Sequence, residues 1–230
     1  MRYAVRDPSA PEPMHIDPTH IYAVATGDIV GSTTLSTTDR PKLREVMRQA
    51  GDRIVELWPE DLPVAAALFA GDRWQIFTPH PGSLLRIAVY YRAALIASDL
   101  GIDTRMAIGI GTVDYIPEAN IVEGEGPAFR RSGRTLDGMG KGGAMVVRAG
   151  DDPREPAWNG ALRLLDALIR HQWTPSRARA VTGATRGLTQ EQIGHLWAPS
   201  ITQQSVADHL AEAEWKAIDD LLATWSRDWQ

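Results

Sequence analysis

Two aspartates set the terms for this chain. One stands in VATGDIVGSTTLS (residues 24–36) and the other in FAGDRWQIF (69–77), each breaking an apolar run at a Gly-Asp pair. A carboxylate is awkward inside an apolar strand, so each aspartate is expected at a strand edge or turn. IYAVAT (21–26) reads as a buried strand ending at Gly27-Asp28. VAAALFA (64–70) and RWQIFT (73–78) read as an antiparallel hairpin whose tip carries Gly71-Asp72. Between them DRPKLREVMRQAGDRIVELW (39–58) places Leu43, Val46, Met47, Ala50, Ile54 and Leu57 at helical spacing. In such a β-α-β-β unit the first strand commonly lies beside the hairpin, so Asp28 and Asp72 are expected at one end of one sheet. Two carboxylates held there repel unless protonated or bridged by a cation.

GSLLRIAVYYRAALIASDLG (82–101) reads as a second helix with Ser83 as N-cap and Gly101 as its stop. TRMAIGIGTVDYI (104–116) reads as a strand whose alternate glycines admit another backbone or a ligand. The order β-α-β-β-α-β predicts an α+β, ferredoxin-like fold, an antiparallel sheet with helices on one face. A further helix over GPAFRRSGRTLDGM and a strand AMVVRA (144–149) follow, and DDPREP (151–156) reads as a linker. The expected organisation is a flexible proline-rich arm over 1–19, one domain over 20–150 and a small all-α, helix-turn-helix-like domain over 151–230.

Composition narrows the chemistry. With no cysteine and six histidines at no metal-binding spacing, ligation at the two aspartates falls to oxygen, which favours Mg²⁺ or Mn²⁺. Such ions usually arrive with phosphates. The loop IVGSTTLS supplies Gly31, backbone N–H groups and the hydroxyls of Ser32, Thr33 and Thr34 before a helix, a combination suited to a polyphosphate. A formal charge of -5 provides no global footprint for nucleic acid. The amino terminus lacks a signal-peptide apolar core, and no run approaches the roughly 20 apolar residues of a membrane span, so a cytoplasmic protein without membrane partners is expected.

TGDIVGSTTLS resembles the metal-binding strand and loop of class III nucleotidyl cyclases, FAGDRWQIF their second Gly-Asp motif, and TRMAIGIGTV their Arg-x-Gly-Ile-x-x-Gly strand. GPAFRRSGR (126–134) is similar to their Gly-x-x-Val-Asn-x-Ala-Ala-Arg helix. The resemblance covers roughly residues 21–149. It implies a homodimer with sites at the subunit interface, in which Asp28, Asp72 and the carbonyl of Ile29 hold two Mn²⁺ or Mg²⁺ ions and a nucleoside triphosphate. Arg134, supplied by the second subunit, falls on the arginine that meets charge developing in the transition state. The product is a 3',5'-cyclic nucleotide and diphosphate.

Some positions depart from that pattern. Arg130 replaces the asparagine that orients the ribose, Leu68 replaces the lysine that reads adenine, and Glu123 stands where its acidic or polar partner is found. Leu68 cannot donate to a purine, so UTP or CTP is the expected substrate. The departures resemble the pyrimidine cyclases of bacterial antiphage systems. GDIVGS, GDRWQ and GPAFRRS with the helical tail also resemble the SatD family of bacterial proteins, which points instead to a catalytically idle nucleotide sensor that regulates transcription. In GMGKGG (138–143) the phosphate-loop spacing fails, leaving Lys141 as a candidate phosphate contact on a turn.

LTQEQIGHLWAPSITQQSVADHLAEA (188–213) has a helix-turn-helix cadence, with Ile193, Leu196, Val206 and Leu210 inward and a turn at Pro199-Ser200. Yet residues 161–230 carry seven Lys and Arg against eight Asp and Glu, and the second helix offers Gln203, Gln204 and His209 without a Lys or Arg. Phosphate contacts dominate affinity for DNA, so nucleic acid is the weaker expectation and a sensing, dimerising or packing module the stronger.

Overall fold

In a computed structural model, which describes residues 14–117, 120–140 and 145–230, β1 (Tyr22–Val30) is the middle strand of a five-stranded sheet. With β2 (Ala67–Phe69), β3 (Arg73–Thr78), β4 (Asp103–Gly111) and β5 (Met145–Arg148) the order is β2-β3-β1-β4-β5. Every pairing is antiparallel except β4 with β5. Five strands and eight α-helices among the described residues make this an α+β protein.

Alternation divides the sheet into two buried faces. Ala23, Ala25 and Ile29 of β1, Trp74 and Ile76 of β3, and Met106, Ile108 and Ile110 of β4 face one core. That core is covered by α1 (Asp39–Leu57) and α2 (Pro81–Ile96). Tyr22, Val24 and Phe77 face the other side, where Ala128 and Phe129 of α3 (Pro127–Gly138) pack against them. Helices therefore cover both faces, not one as expected. Gly109 makes this approach feasible, since a Cβ there would stand 2.1 Å from the carbonyl oxygen of Ala128.

The first strand does not end at Gly27-Asp28 but continues to Val30, with Asp28 in register between Arg73 and Arg105. A paired carboxylate is compatible with a central strand where a lone one is not. Other boundaries move in the opposite direction. Only Ala67–Phe69 of the expected strand 64–70 pairs, and α2 begins at Pro81 with His80 in the N-cap place. Ser83 lies inside that helix and donates to Asp61 Oδ1 at 2.6 Å. Of the expected arm, Met14 and Ile16 pack against the second core, while residues 1–13 lie outside the described residues.

The tail comprises α4 (Glu155–Gln172), α5 (Pro175–Ala184), α6 (Gln190–Gly194), α7 (Gln203–Glu212) and α8 (Trp215–Asp228). Much of the apolar surface of residues 151–230 is buried in the same core as the sheet. Trp158, Leu162 and Leu165 of α4, Val181 of α5, and Leu222 and Trp225 of α8 join the same cluster as α2 and the sheet. Buried polar contacts reinforce that union. Trp225 Nε1 donates to the Pro81 carbonyl at 2.9 Å, and the Asn159 side chain bonds both the N–H and the C=O of Val147, closing the β5 edge. The fully buried Arg92 of α2 pairs with Asp103 of β4 at 2.6 Å and approaches Asp166 of α4 at 2.8 Å. Helices α6 and α7 form a satellite with α5 around Ala180, Ile193 and Val206. Residues 195–202 separate α6 from α7, longer than the three- or four-residue turn of a helix-turn-helix.

Because one core spans both halves, unfolding is expected as a single transition, coincident by far-ultraviolet dichroism and tryptophan fluorescence. Arg92→Leu should lower stability by about 3–5 kcal/mol in denaturant titration, since Asp103 and Asp166 lose their shared cation.

Candidate functional site

The far end of β1 gathers the charges that the sequence singled out. Asp72, in the turn formed by Ala70 and Gly71 with positive φ, accepts a hydrogen bond from the Ile29 N–H through its backbone carbonyl at 3.2 Å. Its carboxylate accepts from Ser32 Oγ at 2.5 Å. Asp28 precedes Ile29, so strand and hairpin deliver both aspartates to one sheet end. Gly27 permits that arrangement: a Cβ there would lie 2.3 Å from the Trp74 ring and 2.7 Å from the Arg105 carbonyl oxygen.

Arg105 is the site residue that motif reading missed. Its Nε and Nη2 donate to the two Asp28 oxygens at 2.6 and 2.7 Å, and its Nη1 donates to the Met139 carbonyl at 2.6 Å. The bond to Asp28 holds the guanidinium above its ordinary pKa. The side chains of Asp28 and Arg105 are 15% and 21% exposed, so the pair is shielded yet reachable. A signal for it was present, because the TRMAIGIG strand runs antiparallel to β1 and the register sets Arg105 opposite Asp28. Alongside, Arg73 donates to Asp137 of α3 at 2.8 Å. Three carboxylates and two guanidiniums thus alternate across this end.

The expected phosphate loop is partly realised. Gly31, at φ 87, turns the chain, and Ser32–Thr34 form one 3₁₀ turn in which Thr34 Oγ1 donates to the Gly31 carbonyl. Thr33 is exposed. The N-terminus of α1 is already supplied with negative charge by Asp39, which Ser36 and Lys42 engage, so the anion cradle reduces to the Gly31–Thr34 turn.

The other candidates lie elsewhere. Leu68 is exposed on β2 and lines a cavity of about 680 Å³ with Pro41, Arg44 and Met47 of the α1 region. Glu123 follows Asn120 in a 3₁₀ turn before α3 and accepts weakly from its side chain at 3.3 Å. Arg130 and Arg134 line a depression between α3 and β5 and do not join Asp28 within one chain. Lys141 lies outside the described residues.

Asp28, Asp72 and the backbone of Ile29 offer a hard, oxygen-only donor set. No group of three or more His, Cys, Asp or Glu side chains able to hold a metal occurs among the described residues. Both Asp28 oxygens are engaged by Arg105 and the Asp72 carboxylate accepts from Ser32, so an ion there would have to displace those partners and complete its shell from water or other oxygens, as Mg²⁺ and Mn²⁺ do. No helix among the described residues is long and apolar enough to cross a membrane. No protein-family model and no curated protein matches the chain.

Arg105→Ala should cost about 1.5–3 kcal/mol in denaturant titration, the range for hydrogen bonds to charged groups. Arg105→Lys should recover only part of the loss, because an ammonium cannot reproduce the two-pronged contact.

Proposed function

We propose that the Asp28–Asp72 end of the sheet binds a nucleoside triphosphate with Mg²⁺ or Mn²⁺, and that the protein is a nucleotide cyclase of the class III type. The observation that carries this reading is the Ile29 N–H bond to the Asp72 carbonyl, which joins the two Gly-Asp motifs at one sheet end. The β2-β3-β1-β4 order, with α1 and α2 as crossovers, supports a ferredoxin-like sheet of the cyclase kind. Asp28, Asp72 and the Ile29 carbonyl would hold the ions, whose chemistry would be to lower the pKa of the ribose 3'-hydroxyl and to neutralise the departing diphosphate.

The chain's own residues do the rest. Ser32 orients the Asp72 carboxylate, and Arg105 satisfies both Asp28 oxygens and would be freed to meet anionic oxygens if Asp28 took other ligands. The 3'-oxygen bonds to the α-phosphorus as the bond to the bridging diphosphate oxygen breaks, and the hydroxyl proton passes to water. Since Arg134 stands apart from Asp28 within one chain, a second copy must bring it to the phosphoryl oxygens, which makes the active form a homodimer. Leu68 donates nothing to a purine edge, in keeping with UTP or CTP and with a role in antiphage defence.

Incubation of the protein with each ribonucleoside triphosphate and Mn²⁺ should release diphosphate and a 3',5'-cyclic pyrimidine nucleotide. Asp28→Ala or Asp72→Ala should reduce turnover by about 10³-fold or more while the dimer persists. Absence of cyclic product from all four nucleotides would refute the cyclase. The shared core of tail and sheet favours a second reading, a SatD-like nucleotide sensor, because ligand binding at the sheet and the α6–α7 pair belong to one packed body. A shift of duplex DNA that depends on nucleotide and weakens with salt would support it.

A further inference from the structure

On the α3 side of the sheet, away from Asp28, lies a cavity of about 360 Å³ lined by Arg130, Arg131, Arg134, Thr135, Arg148 and Glu155. Arg148, which pairs with Gly109, stands opposite a position four residues along β4 from Arg105, about 13 Å at the rise of a strand. Arg131 forms the rear wall. Its guanidinium donates to the Ile110 carbonyl and fits against Gly111 and Gly150, where an added Cβ would fall 2.5 and 2.4 Å from its Nη atoms. Glu155 is the one acid lining the cavity and is already engaged, by Arg148 at 3.0 Å and by the Ala149 N–H at 2.7 Å. Arg130 meets only the distant Asp114, at 3.5 Å, and is half exposed. Arg134 forms no ion pair with a described carboxylate.

We infer that this depression is a second, metal-independent site for a short polyphosphate chain, either free or carried on a nucleotide. Among the described residues four guanidiniums meet one lining carboxylate, Glu155, and Asp114 at 3.5 Å from Arg130, which leaves a local excess of positive charge. Their planar donor forks match phosphate oxygens two at a time, and the Thr135 hydroxyl adds a neutral donor. The volume falls within the range of small-ligand sites and is ample for a few phosphate groups. The site shares Arg134 with the proposed dimeric active site, but Asp28, Asp72 and a divalent ion take no part in it, so binding in EDTA separates the two readings.

Titration calorimetry of the full chain with tripolyphosphate in excess EDTA tests it. Binding is expected, and Arg130→Ala and Arg148→Ala, both at exposed positions, should each weaken it by about tenfold. Arg148→Lys should restore part of the affinity, and Asp28→Ala should leave it within about twofold, as independent distant sites do. A nucleoside triphosphate binding more tightly than tripolyphosphate in EDTA, with the same arginine dependence, would assign the nucleotide as the source; equal affinity would assign the free chain. No binding in EDTA, or binding indifferent to both arginines, overturns the proposal. So does duplex DNA that competes more strongly than tripolyphosphate at equal phosphate concentration, since the surface would then be a nucleic-acid face.

Discussion

The buried guanidinium of Arg92 is the interaction on which the arrangement of this protein rests. It is fully withdrawn from solvent, yet holds Asp103 at the start of β4 in a two-pronged contact and lies against Asp166 of α4. Removing Arg92 and Asp166 from water is costly, and such a group persists only where its partners are closely matched. The match here joins three elements from distant parts of the chain: the second crossover helix, the strand bearing Arg105 and the first helix of the tail. Asp103 also accepts from the Thr104 N–H, and Thr104 Oγ1 in turn donates to the Asp28 carbonyl and receives the Trp74 indole N–H. The residues behind the candidate site are therefore braced by the same network that anchors the tail.

Against that brace, the sheet end has a simple electrostatic logic. Asp28 sits in a central strand because Arg105 answers both its oxygens, and the backbone can pass there because Gly27 yields its side-chain space to Trp74. A guanidinium in that place holds the carboxylate in position while leaving it partly accessible. The opposite end of α3 carries more arginines than nearby described acids, so the two ends of one helix present different electrostatic surfaces.

Much of this was legible in the residues themselves. The strand 73–78 and the helix beginning at Asp39 fall where apolar periodicity places them, and the two Gly-Asp pairs meet as a β-α-β-β order demands. Periodicity did not mark the end of β1, since a charged residue looks like a boundary until its partner is known, and Arg105 lies 77 residues away from Asp28. Nor could it separate a tail that folds alone from one that shares a core. Trp225 and Leu222 satisfy an amphipathic pattern in either case, and only their contact with α2 and Pro81 distinguishes the two.

By itself, then, the sequence determined the local elements, the oxygen-only character of the candidate site and the arrival of the two Gly-Asp motifs at one sheet end, because spacing and side-chain chemistry act over short stretches of chain. Tertiary structure alone decided that α3 covers the second face of the sheet, that α4, α5 and α8 complete the first, that Arg105 neutralises Asp28, and that four arginines converge beside β5. Each of these depends on which surfaces meet across long separations, and a helix or strand carries the same apolar face whichever partner buries it.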